Sequence, residues 1–202
     1  MYNGPERENC SDYFVPSYTP TLDFLICARN RAQPISKEKA RILLAAVPRP
    51  HKWDPLPFVF EEARVITNIV PPSNIIPLPA NISTALSTTA SVNATAQDVI
   101  NNLPSASILH LACHGQQNFV NALTSGFVMA DRTLTLAEVM TVNLPSPFLA
   151  FLNACETAKS DDSRHDQIVH LAAAMLFLGF RNVVGTMWCV VWLHKFSHCT
   201  RD

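Results

Sequence analysis

Residues 107–115 read Ser-Ile-Leu-His-Leu-Ala-Cys-His-Gly, and residues 148–157 read Phe-Leu-Ala-Phe-Leu-Asn-Ala-Cys-Glu-Thr. Each stretch opens with a short apolar run, which is typical of a strand that is covered on both faces of its sheet. The first run predicts a strand at residues 107–112 that leads into His114, and the second predicts a strand at residues 148–153 that leads into Cys155. Because parallel strands bring their carboxyl ends to one edge of the sheet, these two stretches decide both the fold and the place of its chemistry.

The rest of the chain alternates strands with helices around these two runs. A continuous apolar run closed by a proline predicts a strand at residues 42–47, and apolar residues three and four apart predict a helix at residues 58–70. The other predicted elements are a strand at Ile75–Leu78, a helix after the cap Thr95–Asp98, a hairpin at Gly126–Leu134, a helix from the capping box Thr135–Glu138 to Val142, a helix at Gln167–Leu178 closed by Gly179, and a strand at Asn182–Trp188. The pattern predicts an α/β fold, a three-layer sandwich with a mostly parallel central sheet.

Composition excludes several classes of protein. The chain has 202 residues, of which 48% are hydrophobic and 15% charged, so we expect one well-buried domain. A net charge of −1 without a basic block argues against a nucleic acid partner. The first ten residues lack the apolar stretch of a secretory signal, so we expect a cytoplasmic protein with reduced cysteines. The six cysteines contain no C-x-x-C pair, so no disulfide framework is predicted.

One segment, Ile168–Leu193, is apolar enough to be compared with a membrane span. Arg181 and Asn182 lie at its middle, where an arginine costs about 2.5 to 3.5 kcal/mol on insertion scales. We therefore expect a buried helix followed by a buried strand, and no membrane partner.

His114 and Cys155 are the two halves of a nucleophile–base pair. If their strands are neighbours in the sheet, the two residues lie side by side. An imidazole beside a thiol withdraws its proton or stabilises the thiolate, which is the reactive form. Gly115 allows the backbone to approach a ligand closely, so its N–H and that of Cys155 are candidate donors to a tetrahedral oxyanion. Each residue alone also has a structural interpretation, as a buried apolar thiol or a hydrogen-bonded histidine.

The stretches at residues 110–115 and 152–158 resemble the two signature stretches of the CHAT domain family. Three further pieces resemble the family's opening motif, its hairpin, and its last helix and strand. They are Tyr-Thr-Pro-Thr-Leu at 18–22, Ser-Gly-Phe-Val-Met-Ala at 125–130, and the segment from His-Leu-Ala at 170–172 through Gly-Phe at 179–180 to Val-Gly-Thr-Met-Trp at 184–188. The resemblance covers residues 18–190.

This resemblance implies a caspase-like fold, related to caspases and separase, with His114 and Cys155 as the catalytic dyad. It implies a cysteine endopeptidase that acts on a protein or peptide through a thioester acyl-enzyme and needs no cofactor or metal. The caspase signature itself matches only at Ala154 and Cys155, so a preference for aspartate is not carried over.

We expect three parts along the chain: an N-terminal arm at residues 1–34 that packs on the domain, the CHAT domain at 35–190, and an atypical tail at 191–202. Relatives follow the last strand with acidic residues and another helix, whereas Val190 is followed here by Val-Trp-Leu. This departure suggests a truncated C-terminal edge. Many relatives also carry helical repeats, so we expect a piece of a larger signalling or regulated-proteolysis protein, with a partner protein or a repeat domain.

Other interpretations stay open. The tail residues Cys189, His194, His198 and Cys199 have one ligand spacing for zinc but no second pair at a zinc-finger distance. Cys113 neighbours His114 on a strand, so it is predicted to face the opposite layer as core. Three acidic residues are candidates for a substrate pocket: Glu156, Asp161 and Asp162. The rival function is a catalytically silent interaction module, or a truncated fragment, with the same fold.

Overall fold

The computed structural model describes residues 13, 19, 21–30, 35–80, 82, 93–118, 120–155 and 171–185, and for Phe24, Cys27, Ala28 and Cys155 it describes the backbone. The chain divides into two compact units between Ala32 and Gln33. The first unit contains helix α1, Leu22–Asn30. The packing of an N-terminal arm on the domain stays a prediction.

The second unit is built on a seven-stranded mixed sheet. Its strands are β1 (Ile42–Ala46), β2 (Ile75–Leu78), β3 (Ile108–Gln116), β4 (Gly126–Val128), β5 (Thr133–Thr135), β6 (Leu149–Cys155) and β7 (Asn182–Gly185). Five strands are parallel in the order β2-β1-β3-β6-β7. The hairpin β4-β5 adds two antiparallel pairings at the end of β3. The α/β class is confirmed, with a mixed sheet because of this hairpin.

Helices cover the two faces of the sheet. They are α2 (Phe58–Ile69), α3 (Ala96–Asn102), α4 (Leu136–Val139) and α5 (Leu171–Phe177). We call the face that packs on α2 the α2 face; its buried strand residues include Leu44, Ala46 and Ala112. We call the other face the apolar face; its buried residues include Leu109 and Leu111 and residues of α3, α4 and α5. Side chains alternate along a strand, so successive strand residues face first one and then the other of these two faces.

The helix ends follow the predicted local signals. Thr95 and Thr135 each cap a helix, and the acidic residue three positions on returns the bond to the backbone, so both capping boxes are confirmed. Helix α4 ends at Val139 instead of Val142, and single turns continue the chain. Gly179 closes α5 with a φ of 103°, a conformation that favours glycine.

Two strands extend beyond their predicted ends. β3 was predicted to end near Ala112 but continues to Gln116, because β4 pairs with residues 114–116 where β1 no longer does. β6 was predicted to end at Asn153 but continues to Cys155, because it stays paired with β3 up to that position. His114 and Cys155 therefore lie within the sheet at the ends of a shared ladder, not in the loops that follow.

The apolar segment that was compared with a membrane span contains α5 and β7 in its described part. Helix α5 buries Leu171, Ala174 and Met175, but the prediction of a buried strand is wrong: the residues of β7 are exposed or half-buried, because among the described strands β7 pairs with β6 alone. Among the residues that the structure describes, no helix has the length and apolar character needed to cross a bilayer.

Candidate functional site

His114 and Cys155 lie next to each other in the sheet. β3 and β6 are parallel neighbours, which meets the condition that the sequence sets for the pair, and His114 is the register partner of Cys155 at the last position of their ladder. The backbone hydrogen bonds between the two strands hold this pairing, so the sheet itself keeps the two residues next to each other.

The two residues also share a face. On β3, Leu109, Leu111 and Cys113 belong to the apolar face, so the residues between and after them, including His114, belong to the α2 face. On β6, Ala154 belongs to the apolar face, which puts the position of Cys155 on the α2 face. Cys113 is fully buried, and its prediction as core is confirmed.

The imidazole of His114 is held by the loop between β1 and α2, residues 47–57, which we call the β1–α2 loop. His114 Nε2 lies 2.7 Å from the backbone carbonyl oxygen of Asp54. A carbonyl only accepts, so Nε2 carries the proton and donates it there. The Trp53 ring packs against the imidazole, with centroids 5.2 Å apart and planes tilted by 30°. In the neutral imidazole this leaves Nδ1 as the acceptor.

The β1–α2 loop is itself anchored at several points. Its start continues the β1 pairing, because the Val47 N–H donates to the Ala112 carbonyl. The Leu56 N–H donates to the Pro48 carbonyl at 2.7 Å and closes the loop. The Asn93 side chain exchanges two hydrogen bonds with the backbone of Arg49. The carbonyl that orients His114 is therefore fixed by contacts across the loop.

The backbone amide of Gly115 is directed toward β6. Ala112 accepts from Val47, so Ala112 directs its backbone groups to the β1 edge of β3. Successive residues of a strand direct these groups to opposite neighbours, so those of Gly115, three residues on, point to the β6 edge. The pairing of β3 with β6 reaches Cys155 one residue earlier. The Gly115 N–H therefore faces the backbone carbonyl of Cys155 in this ladder.

A polar network lies below His114 on the α2 face, and the sequence interpretation missed it. Glu62 of α2 accepts from two strands at once: its Oε1 lies 2.9 Å from His110 Nε2, and its Oε2 accepts from Asn153 Nδ2 at 2.5 Å. The His110 ring stacks on Phe151 with centroids 4.8 Å apart. A signal was present in the spacing, because His110 and Asn153 precede His114 and Cys155 by even numbers and so share their face.

The candidate pocket residues Glu156, Asp161 and Asp162 lie outside the described residues, as do the four residues weighed as zinc ligands. Within the described part of the chain, no group of three His, Cys, Asp or Glu side chains is arranged to hold a metal ion.

The sequence model of the CHAT domain family matches residues 3–191. A search of curated proteins finds no match.

Proposed function

The chain belongs to the CHAT domain family, which is related to the caspase-like peptidases, and on that premise we propose that it is a cysteine endopeptidase domain with Cys155 as nucleophile and His114 as base. The observation that carries this proposal is the register partnership of the two residues at the end of β3 and β6. The substrate is a protein or peptide, and neither a cofactor nor a metal takes part.

The proposed reaction has two halves. The Nδ1 of His114 takes the proton of the Cys155 thiol, and the thiolate attacks the carbonyl carbon of the scissile peptide bond. The tetrahedral intermediate collapses, the C–N bond breaks, and the amine leaves with the proton from the imidazolium. A water molecule then attacks the thioester with His114 again as base, the C–S bond breaks, the thiolate takes the proton back from the imidazolium, and the carboxylic acid product is released.

The surroundings of His114 support its role as a base. A base needs a third group that fixes its tautomer and its ring orientation. The Asp54 carbonyl fixes the proton on Nε2, and the Trp53 ring limits rotation of the imidazole. Together these contacts favour an Nδ1 that accepts a proton.

The proposed oxyanion donors are the backbone N–H groups of Gly115 and Cys155. In this role the Gly115 N–H would leave the Cys155 carbonyl, which it faces in the ladder, for the oxyanion. Backbone N–H donors of this kind stabilise the negative charge that develops on the tetrahedral intermediate.

The finer expectations from the sequence belong to the same proposal. We propose a caspase-like three-layer sandwich, an N-terminal arm, and a pocket that includes Glu156, Asp161 and Asp162. A cytoplasmic location and a place in a larger signalling or regulated-proteolysis assembly, with a partner protein or repeat domain, complete it.

Covalent trapping tests this function. A mixture of peptidyl acyloxymethyl ketones is expected to label Cys155 of the wild-type protein, as located by peptide mass spectrometry. Cys155→Ala abolishes labelling, and His114→Ala slows it by about 10² to 10⁴, the usual contribution of a general base. Labelling of Cys155 at the same rate in wild type and His114→Ala would refute the dyad and favour the silent interaction module.

A further inference from the structure

Glu62 is a half-buried carboxylate on an otherwise apolar helix face. Its side chain is 22% exposed, and that of His110, its partner on β3, is 10% exposed. Its neighbours on the inner side of α2 are Val59, Ala63 and Ile66, which pack on the sheet. Both carboxylate oxygens have a side-chain partner, one on each of two adjacent strands.

A contribution to the stability of the fold does not by itself explain this network. Removing a carboxylate from water is costly, and well-packed apolar residues often replace a buried polar network with no loss of stability. A leucine at position 62 would continue the apolar stripe of α2. The network is therefore better explained by the way it positions α2 against the strands.

The network joins the three parts of the proposed site. Through His110 it ties α2 to β3, the strand of His114, and through Asn153 it ties α2 to β6, the strand of Cys155. Helix α2 begins at Phe58, directly after the β1–α2 loop that carries Asp54. The start of α2 is thus a second anchor for the Asp54 carbonyl, in addition to the hydrogen bonds within the loop.

We propose that Glu62 is a positioning residue that fixes α2, and with it the Asp54 carbonyl, against the two strands of the dyad. This inference rests on the proposed function. Glu62 acts through hydrogen bonds to His110 and Asn153 and takes no part in bond making or breaking. Without it, α2 loses its polar ties to the sheet, and His114 is held less well in the orientation that serves Cys155.

Two variants at position 62 separate the hydrogen bonds from the charge. Glu62→Met has a similar shape and removes both bonds. Glu62→Gln removes the charge but keeps both bonds, because its oxygen accepts from His110 and its amide donates to the Asn153 oxygen once that side chain turns over. Glu61→Met is the matched control, since Glu61 is the adjacent residue on the same helix and is exposed, with its partner Arg64 at the surface.

Two rates at Cys155 are measured for each folded variant by mass spectrometry: labelling by the peptidyl ketone mixture, and alkylation by iodoacetamide from pH 5 to 10. We expect Glu62→Met to slow peptidyl labelling by about tenfold to a hundredfold, the scale of a misplaced catalytic group. Its alkylation midpoint moves up toward that of an unassisted thiol, about 8.5. Glu62→Gln stays within about threefold of wild type, and Glu61→Met matches wild type.

The outcomes distinguish the two proposals. If His114→Ala is labelled at Cys155 as fast as wild type, both the dyad and this inference are refuted. If His114→Ala slows labelling but Glu62→Met is labelled and alkylated like wild type, the dyad is supported and the positioning role of Glu62 is refuted. Equal losses in Glu62→Gln and Glu62→Met overturn the hydrogen-bond mechanism. If Glu62→Met fails to fold, Asn153→Ala takes its place: a smaller loss with an upward midpoint supports the role, and no change refutes it.

Discussion

The two faces of the central sheet are built from the same strands but from different kinds of residue. On the apolar face, β3 contributes Leu109, Leu111 and Cys113 to a core of aliphatic and aromatic side chains. On the α2 face, the same strand contributes His110 and His114, and both imidazoles have polar partners. Neighbouring residues of β3 therefore face opposite sides of the sheet, one toward the apolar core and the other toward the candidate site.

This difference has a physical basis. Apolar burial supplies most of the stability of a domain, and it is concentrated where no polar group must be desolvated. The larger core can hold the strands in register while the α2 face accommodates histidines, a carboxylate and an amide. We expect changes on the apolar face to alter the free energy of unfolding, and changes on the α2 face to alter the reactivity of Cys155.

The largest effect is expected from Leu111→Ala, in the apolar face of β3. Leu111 is fully buried, and truncating such a residue costs about 2 to 5 kcal/mol. Urea denaturation measures this loss, with the exposed Leu123→Ala as control, expected within about 0.5 kcal/mol of wild type. Labelling of folded Leu111→Ala at Cys155 should match wild type. A labelling defect as large as that of His114→Ala would show that the two faces are not separable.

A smaller effect, in reactivity, is expected from Trp53→Ala on the α2 side. An aromatic pair contributes about 0.5 to 1.5 kcal/mol, so losing the ring against His114 should slow peptidyl labelling by about twofold to tenfold. The free energy of unfolding should change little, because Trp53 is 37% exposed. Trp53→Phe keeps a ring at this position and should retain most of the rate. A Trp53→Ala protein that labels like wild type would remove Trp53 from the site.

Much of the fold was predictable because its signals are local. The apolar run at residues 42–47 and the capping boxes at Thr95 and Thr135 are each set by residues a few positions apart, and each lies where the structure has it. The same holds for Gly179, which ends α5 because of its positive φ. The ends of β3 and β6 were predicted too early, because the pairing that extends them comes from distant segments.

The candidate site divides in the same way. His114 and Cys155 follow apolar runs, so their place at the ends of two strands could be inferred from the sequence, whereas the adjacency of those strands comes from the structure. Glu62 could not be found this way, because its partners lie 48 and 91 residues away and its helix position resembles an interruption of an apolar stripe. The Asp54 carbonyl is backbone, which no residue type at that position reveals.

The smallest effect concerns Glu138, a carboxylate whose partners are all local and which contrasts with Glu62 in that respect. The backbone N–H of Thr135 at the start of α4, together with the Thr135 hydroxyl and Arg132, lowers the pKa of Glu138 against a smaller opposing effect of burial. The ionised form is therefore favoured in the folded state. Its contribution to stability is present above the ordinary value of 4.5 and is lost as the pH falls below it through the lowered pKa.

Glu138→Gln tests this contribution, because glutamine keeps the capping box but not the charge. Urea denaturation from pH 3 to 7 should show wild type more stable than the variant by less than about 1 kcal/mol near neutrality, as expected of a half-exposed group, with the difference vanishing toward pH 3. Glu61→Gln is the matched control for the loss of one carboxylate. A difference that persists at pH 3 would assign the effect to the geometry of the cap and not to the charge of Glu138. Glu138 would then resemble Glu62, whose proposed role depends on hydrogen bonds and not on charge.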